Sequence, residues 1–188
     1  MSAAAYANEE NILLCLNKTF KNSELYNVTK VACNGHQSQI CAAFVALSHD
    51  DKAIILSFRG TNSFTQLMLE SSEIVFTKQT EWFIGGKIMN FGYIFLIVTG
   101  HSLGGALASL AAAEICSSGL IKSQNIKLLT LGQPRTGDWV WAAAMDQLLP
   151  YYNYRVVNYR DVIVHLPIRY FEGYQHYRTE VSYIFINN

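Results

Sequence analysis

A serine with glycines two positions away on either side is the feature of this sequence with the clearest chemical meaning. Ser102 stands at the centre of Gly100-His101-Ser102-Leu103-Gly104, a G-x-S-x-G pattern. The pattern is typical of a sharp strand-to-helix turn, where glycines fit because larger side chains would collide. Backbone N–H groups at the start of the helix favour a developing oxyanion. We therefore predict that Ser102 is a nucleophile; a glycine-rich turn with an unreactive serine is the alternative.

An acid that could serve this serine follows one of the later strands. A serine nucleophile needs a base, and the base needs an acid that orients it. In α/β-hydrolases both follow the serine along the chain, the acid first. Asp161 comes directly after a predicted strand, at the end where ligand-facing groups of parallel sheets gather. Asp138 and Asp146 flank or lie in a predicted helix, where capping and surface roles are expected. Asp161 is therefore the predicted acid.

Two histidines, His165 and His176, follow Ser102 and are candidates for the base. His165 stands so near Asp161 in the sequence that the two residues would share one loop. His176 lies in a separate predicted loop, just before the last predicted strand. We predict that His176 is the base, with a structural role for this histidine as the alternative.

The loop after an earlier strand offers a second donor for the oxyanion. Arg59-Gly60-Thr61 follows the apolar segment 53–58. Gly60 permits a close backbone approach, and Thr61 has both an N–H and a hydroxyl. An ordinary loop with a structural arginine explains the same residues, and the pattern by itself does not choose between the two.

Helical and strand-like segments alternate through the chain that must position these residues. Such alternation favours an α/β fold with a largely parallel sheet, and no linker divides the chain, so we predict one domain over residues 1–188. Segment 22–35 is predicted as a loop, and 74–83 as a strand or an irregular segment. The other predicted elements are helices over 9–20, 64–71, 103–117 and 139–148, and strands over 40–47, 53–58, 93–98, 126–131, 154–159 and 179–186.

Composition narrows the class of function. The 188 residues carry a formal net charge of zero, so no basic excess is available to neutralise phosphates and a nucleic-acid partner is not expected. The best apolar run, 91–98, is far short of the roughly 20 residues of a transmembrane helix. No signal peptide is visible in residues 1–7, and no C-x-x-C spacing indicates a metal site.

Several segments of the sequence resemble the class 3 lipases, the family of the filamentous-fungal triacylglycerol lipases, and most of all their nematode members. The segments occur in the family's order and cover most of the chain, so together they are far more specific than the pentapeptide. They are Ser57-Phe58-Arg59-Gly60-Thr61, the stretch 98–108 around Ser102, Gly132-Gln133-Pro134-Arg135-Thr136-Gly137, Asn158-Tyr159-Arg160-Asp161 with Leu166-Pro167, and Tyr174-Gln175-His176.

This resemblance implies an α/β-hydrolase fold with Ser102, Asp161 and His176 as the catalytic triad. It also implies that Thr61 and the backbone N–H of Leu103 form the oxyanion hole, without a metal or cofactor, and that the protein is secreted. The expected function is hydrolysis of the carboxylic esters of lipids at an interface, with triacylglycerol as the favoured substrate. Phospholipase A1 or general carboxylesterase activity is the alternative. A catalytically inactive lipid-binding variant is the alternative from another class.

The sequence departs from the family between Thr61 and Ser102, where relatives usually have more residues. The crossover helix before the nucleophile strand is therefore expected to be shortened or missing, and the domain is expected to be truncated at both ends. The segment 64–69 places apolar side chains on one helical face. That face would fit either a lid over Ser102 or a fixed core helix.

Cysteine spacing gives one further expectation. The four cysteines, Cys15, Cys33, Cys41 and Cys116, allow three pairings. A disulfide between Cys33 and Cys41 would be the easiest to form, because these two residues are near in the sequence and the entropic cost of closing a loop grows with its length. If the protein is secreted we expect this bridge, with free buried thiols as the alternative.

Overall fold

The computed structural model describes residues 1–32, 40–61, 95–169 and 172–183. At its centre is a seven-stranded sheet with helices on both faces. The strands are β1 (Ser23–Ala32), β2 (Ile40–Ser48), β3 (Ala53–Phe58), β4 (Phe95–His101), β5 (Ile126–Leu131), β6 (Gly137–Asp138), β7 (Tyr152–Asn158), β8 (Tyr174–Gln175) and β9 (Glu180–Tyr183). The described helices are α1 (Glu9–Thr19), α2 (Leu103–Ser117) and α3 (Trp139–Leu148), with 3-10 turns at Ala4–Tyr6, Ser123–Asn125 and Ile163–His165.

The order of the strands decides where the loops meet. The sheet runs β1-β2-β3-β4-β5-β7-β9, antiparallel from β1 to β3 and parallel from β3 to β9. β6 and β8 form a separate small antiparallel ladder. Because parallel strands end at the same edge, the loops after β3, β4, β5 and β7 lie side by side. The mostly parallel sheet confirms the predicted α/β architecture.

α2 packs on one face of the sheet through its alanines. Ala108 and Ala112 have no exposed surface, and they share a core with Val98 of β4 and Leu128 of β5. Alanine is the best helix former, and its side chain ends at Cβ. The same residues therefore favour the helix and let it approach the strands closely. α3 joins this core through Met145.

α1 covers the opposite face over β2 and β3. The Asn8 side chain caps the helix by accepting a hydrogen bond from Asn11 N at 3.0 Å. Ile12 and Leu16 lie one turn apart and are buried in a core that includes Ile55 of β3. Each such burial stabilises the fold by about 1.5–3 kcal/mol.

Among the described residues no helix covers the same face over β5, β7 and β9, and we call this part of the sheet the open face. Registered partners on neighbouring strands point to one side, so Ile55, Ile97, Lys127 and Tyr152 form a row across the sheet. Ile55 is fully buried, whereas Tyr152 is 47% exposed. The other exposed side chains of the open face are Leu129, Tyr154, Val181 and Tyr183.

Most of the predicted elements that fall in the described residues are confirmed. The predicted helices 103–117 and 139–148 coincide with α2 and α3, and the predicted strands 53–58 and 126–131 coincide with β3 and β5. The predicted helix 64–71, the lid within it, the segment 74–83 and the shortened crossover lie outside the described residues.

The predicted loop over 22–35 is wrong, because β1 occupies most of it. The register of β1 against β2 shifts between Leu25 and Asn27. A bulge of this kind moves the following side chains to the other face of the sheet. Apolar and polar residues therefore do not alternate with a period of two along the whole strand. β1 is also the edge of the sheet, where one neighbour suffices and polar residues are common.

One of the cysteines on the sheet is paired. Cys41 of β2 is disulfide-bonded, whereas Cys15 and Cys116 are free. Cys33 lies outside the described residues and is the remaining cysteine of the sequence. The Cys33–Cys41 bridge therefore stays a prediction.

Candidate active site

The loops at the carboxyl ends of four parallel strands bring most of the predicted site residues to one edge of the sheet. Gly60 and Thr61 follow β3, Gly132 follows β5 and Asp161 follows β7. Ser102 lies between the last residue of β4 and the first residue of α2. These strands are consecutive neighbours in the sheet. The strand order alone thus accounts for the convergence of residues that are 100 positions apart in the chain, from 61 to 161.

Ser102 has the backbone conformation that the G-x-S-x-G pattern predicts. Its φ of 58° and ψ of −130° lie where residues with a side chain rarely occur, and such strain costs about 1–3 kcal/mol. A hydrogen bond from Ser102 N to Leu131 O at 2.9 Å holds the turn against β5. A Cβ on Gly100 would lie 2.8 Å from Gly105 N and closer still to the Gly104 carbonyl. Glycine is therefore required at position 100.

The Ser102 hydroxyl is enclosed at the start of α2. The residue is 5% exposed, and its Oγ has no hydrogen-bond partner. Leu103 is the first residue of α2, so its N–H has no acceptor within the helix. An N–H without an acceptor in the helix thus follows the serine directly, as expected of an oxyanion donor. The oxyanion role of Leu103 stays a prediction.

The loop after β3 packs on the Ser102 turn, backbone against backbone. A Cβ on Gly60 would meet the His101 carbonyl and lie 3.2 Å from Ser102 Cβ. A Cβ on Gly104 would lie 2.8 Å from Gly60 N. The predicted oxyanion loop therefore lies against the Ser102 turn. Thr61 is the next residue along that loop, and its donor role stays a prediction.

Tyr6 joins these two segments, and sequence reasoning missed it. Its hydroxyl oxygen lies 2.9 Å from His101 Nδ1, and the two rings meet edge to face. Burial raises the pKa of Tyr6, although a hydrogen bond with the Gly60 backbone lowers it in part. The hydroxyl thus connects the N-terminal segment to both loops of the site. Tyr6 stands in no motif, so the sequence carries no signal for this contact.

The Asp161 carboxylate is turned towards the Ser102 turn. Its Oδ1 accepts a hydrogen bond from Ile163 N at 2.9 Å. Its Oδ2 would lie 3.0 Å from a Cβ on Gly132, and His101 Nε2 would lie 3.6 Å from the same Cβ. The positive φ of Gly132, 57°, and the lack of a side chain leave room for the carboxylate. The position of Asp161 fits the acid of a triad.

His176 is bound to the Asp161 loop and not to Ser102. Its Nε2 lies 2.8 Å from Val164 O, and since a carbonyl can only accept, Nε2 donates. Nδ1 then carries the lone pair, and it is buried without a hydrogen-bond partner. Ser102 Oγ likewise has no partner. The hydrogen bond between Ser102 and His176 that the triad prediction requires is therefore absent.

The surroundings of His176 keep its ring neutral. Burial, together with the charges of Arg155 and Arg135, lowers the pKa of His176 from 6.5 to about 4, against the hydrogen bond to Val164 and the charge of Glu180. A neutral imidazole can act as a base, but this ring has no nitrogen open to a substrate. The structure thus brings Ser102, Asp161 and the Gly60–Thr61 loop to one edge of the sheet, and it joins His176 to the Asp161 loop without a hydrogen bond to Ser102.

A parallel sheet, a strained serine between β4 and α2, and an acid after β7 define the α/β-hydrolase fold. Solved structures agree: the triacylglyceride lipase of Rhizomucor miehei aligns with a TM-score of 0.70 at 23% identity, over 96% of this chain and 76% of its own. A triacylglycerol lipase whose catalytic centre is a serine protease triad aligns with a TM-score of 0.71 at 24% identity, over 96% of this chain and 76% of its own.

Sequence relatives identify the family. The model of the family Lipase (class 3) matches residues 90–171. Lipase ZK262.3 of Caenorhabditis elegans is 35% identical over 89% of this chain and 53% of its own length. A lipase of Rhizopus niveus is 30% identical over 71% of this chain and 39% of its own length. The chain belongs to the class 3 lipase family, and it spans about half the length or less of these curated relatives.

Residues 1–32, 40–61, 95–169 and 172–183 lack two kinds of feature. No helix within them is long and apolar enough to cross a membrane. The same ranges hold no group of three or more His, Cys, Asp or Glu side chains that could bind a metal ion.

Proposed function

We propose that this protein hydrolyses the carboxylic esters of lipids, with triacylglycerols as the main substrate class. The observation that carries the proposal is the strained Ser102, held at the start of α2 against the Gly60 loop, with the Asp161 carboxylate beside the neighbouring Gly132. The relatives that match are lipases. Ser102 Oγ would attack the ester carbonyl, the alcohol would leave with a proton, and water would hydrolyse the acyl-enzyme.

The oxyanion of this reaction would be stabilised by two backbone donors. The N–H of Leu103 starts α2 directly after the nucleophile, and the loop that carries Thr61 packs on the same turn. Preorganised donors of this kind are worth about 10²–10³ in kcat each. The rigid contact of Gly60 with the His101 carbonyl supports the assignment, because it fixes the distance between the two donors.

No hydrogen bond joins a base to Ser102 Oγ in the part of the chain that the structure describes. His176 would have to leave its hydrogen bond to Val164 and its buried site to reach Ser102. His101 Nδ1 is bonded to the Tyr6 hydroxyl. We therefore propose Ser102 and Asp161 as nucleophile and acid.

Two other functions are kept as candidates. A phospholipase A1 of rice is 36% identical over 38% of this chain, so phospholipid or general ester hydrolysis is the alternative within the same chemistry. A catalytically inactive lipid-binding protein is the alternative from another class. It is favoured by the lack of a hydrogen-bond partner at Ser102 Oγ.

A fluorophosphonate probe separates the enzyme from the inactive protein. The probe should label the wild-type protein at Ser102, and Ser102→Ala should abolish both labelling and the hydrolysis of a fatty-acyl ester. Ser109→Ala is the matched control, since Ser109 is buried in α2 and its hydroxyl bonds within the fold. A folded, monodisperse wild-type protein that resists the probe would refute hydrolysis and support the inactive form. A panel of triacylglycerols, phospholipids and soluble esters then ranks the substrates.

We also propose that the protein acts outside the cell, at the surface of lipid aggregates. A disulfide at Cys41 supports this, because such bridges persist in oxidising compartments. A fungal lipase that aligns with this chain at a TM-score of 0.72 provided a model for interfacial activation. Dependence of the hydrolysis rate on emulsified over dissolved substrate tests the interface, and recovery from the culture medium tests secretion.

A further inference from the structure

The backbone of the loop that carries Asp161 is held at four consecutive carbonyls. Val164 O accepts from His176 Nε2 at 2.8 Å. The next three carbonyls accept from a single residue, Arg135. Its guanidinium donates to His165 O and, at 2.7 Å, to Pro167 O, and its backbone N donates to Leu166 O at 2.7 Å.

These carbonyls need such donors because the loop cannot pair them itself. They lie beyond β7, in a 3-10 turn and the irregular segment after it, so no strand neighbour supplies N–H groups. Unpaired backbone groups away from water are costly, and buried ones are almost always satisfied. His176 and Arg135 therefore supply the hydrogen-bond donors that a neighbouring strand would supply within a sheet.

His176 is itself held rigidly. The next residue, Tyr177, is 2% exposed and donates through its hydroxyl to Gln133 Oε1 at 2.7 Å. Arg155 Nε donates to Tyr177 O at 3.1 Å. Because the residue that follows His176 is held at both its side chain and its carbonyl, His176 can in turn fix the loop that accepts from it.

The position of this contact matters for the site. Val164 is three residues after Asp161, and the N–H of Ile163, between them, donates to Asp161 Oδ1 at 2.9 Å. A shift of the Val164 carbonyl would therefore move the donor that orients the carboxylate. Val164, whose carbonyl accepts from His176, is the residue after Ile163, whose N–H orients the Asp161 carboxylate.

We propose that His176 is a positioning residue: together with Arg135, it fixes the loop that aims the Asp161 carboxylate at the Ser102 turn. The inference rests on the proposed function, in which Asp161 is the acid of the triad. It assigns His176 a donor role through Nε2 and no proton transfer to or from the substrate. Burial and the charge of Arg155 keep the ring neutral near pH 7, which leaves Nε2–H as its donor.

Glutamine at position 176 tests this assignment, because its amide nitrogen can donate at a similar reach but cannot serve as a base. The experiment compares wild type with His176→Gln and His176→Leu, and uses His165→Leu as the matched control. His165 is exposed on the same loop, and its side chain has no part in the contacts above. Two quantities are measured: the NMR hydrogen exchange of the Ile163 amide, and kcat and KM for a soluble ester.

The positioning role predicts that His176→Leu speeds Ile163 exchange by about tenfold. His176→Gln and His165→Leu should exchange like wild type. In kinetics, kcat should fall about tenfold or more in His176→Leu with KM unchanged, and His176→Gln should recover most of it.

Equal Ile163 exchange in His176→Leu and wild type would overturn the proposal. So would a loss of activity on the order of 10⁴-fold in both His176→Gln and His176→Leu, which is the result expected of a base. If the wild-type protein hydrolyses no ester, the proposed function fails, and the exchange rates still decide the positioning role.

Discussion

Acid should destabilise this protein through His176. In the native state, burial and the charges of Arg155 and Arg135 hold the pKa of His176 near about 4, against an ordinary value of 6.5. Above pH 6.5 the ring is neutral in both native and unfolded states, so the full stability is present. As the pH falls from 6.5 towards 4, the unfolded chain binds a proton that the native protein does not. The free energy of unfolding must therefore decrease over this window.

The size of the decrease follows from the two pKa values of His176. It reaches about 2 kcal/mol at pH 5 and about 3 kcal/mol at pH 4, and levels off below that, where the native ring also binds a proton. Glu180 is the acidic group that faces the ring, and its own pKa is lowered by Ser182 and Arg155 against the effect of burial. Its charge therefore persists through most of the window.

Urea unfolding of wild type and His176→Gln at pH 7, 6, 5 and 4 measures the effect. Subtraction of the two free energies of unfolding removes the titration of the other groups. The free energy of unfolding of wild type minus that of His176→Gln should be lower than its value at pH 7 by about 2 kcal/mol at pH 5 and by about 3 kcal/mol at pH 4. His165→Gln, which removes an exposed imidazole from the same loop, serves as control. A difference that stays constant with pH would refute the buried, neutral state of His176.

Three further outcomes follow from the site and the sheet. Gly104→Ala should lower the free energy of unfolding by about 1–3 kcal/mol, because the new Cβ would lie 2.8 Å from Gly60 N; urea unfolding equal to wild type would contradict this contact. Tyr6→Phe should lower it by about 1 kcal/mol, since it removes the hydroxyl that joins the N-terminal segment to the site; an unchanged urea midpoint would count against that junction. Peptide mapping without reductant should find Cys33 joined to Cys41, and alkylation of all four cysteines would disprove any bridge.

The positions of Ser102 and Asp161 at one edge of the sheet could be predicted from the sequence because local patterns specify them. The G-x-S-x-G spacing requires a sharp turn, and the observed φ of Ser102 is the one such a turn needs. Asp161 follows an apolar strand, and a parallel sheet brings strand ends together. Both inferences use residues within a few positions of the site residue itself.

The orientation of the His176 ring could not be predicted in this way. His176 stands at the expected place in the chain order, but chain order does not say which way a ring points. In the structure the flanking Tyr177 is buried, and the imidazole is used as a donor to Val164 O. Tyr6, in contrast to His176, stands in no motif. It contacts His101 across 95 positions of the chain, and no sequence spacing could indicate that contact. β1 was missed because a bulge interrupts its alternation.

The open face has a consequence for the colloidal behaviour of the protein. Its tyrosine, leucine and valine side chains are 36–47% exposed on three adjacent strands. The ammonium of Lys127 lies 4.3 Å from the centre of the Phe95 ring and 5.3 Å from that of the Tyr152 ring. The charge of this residue of the open face therefore packs on aromatic rings. The isoelectric point of about 6.9 removes net repulsion between molecules near neutral pH. Light scattering should therefore rise steeply with concentration at pH 7, and a shift to pH 8.5 or a mild detergent should suppress it.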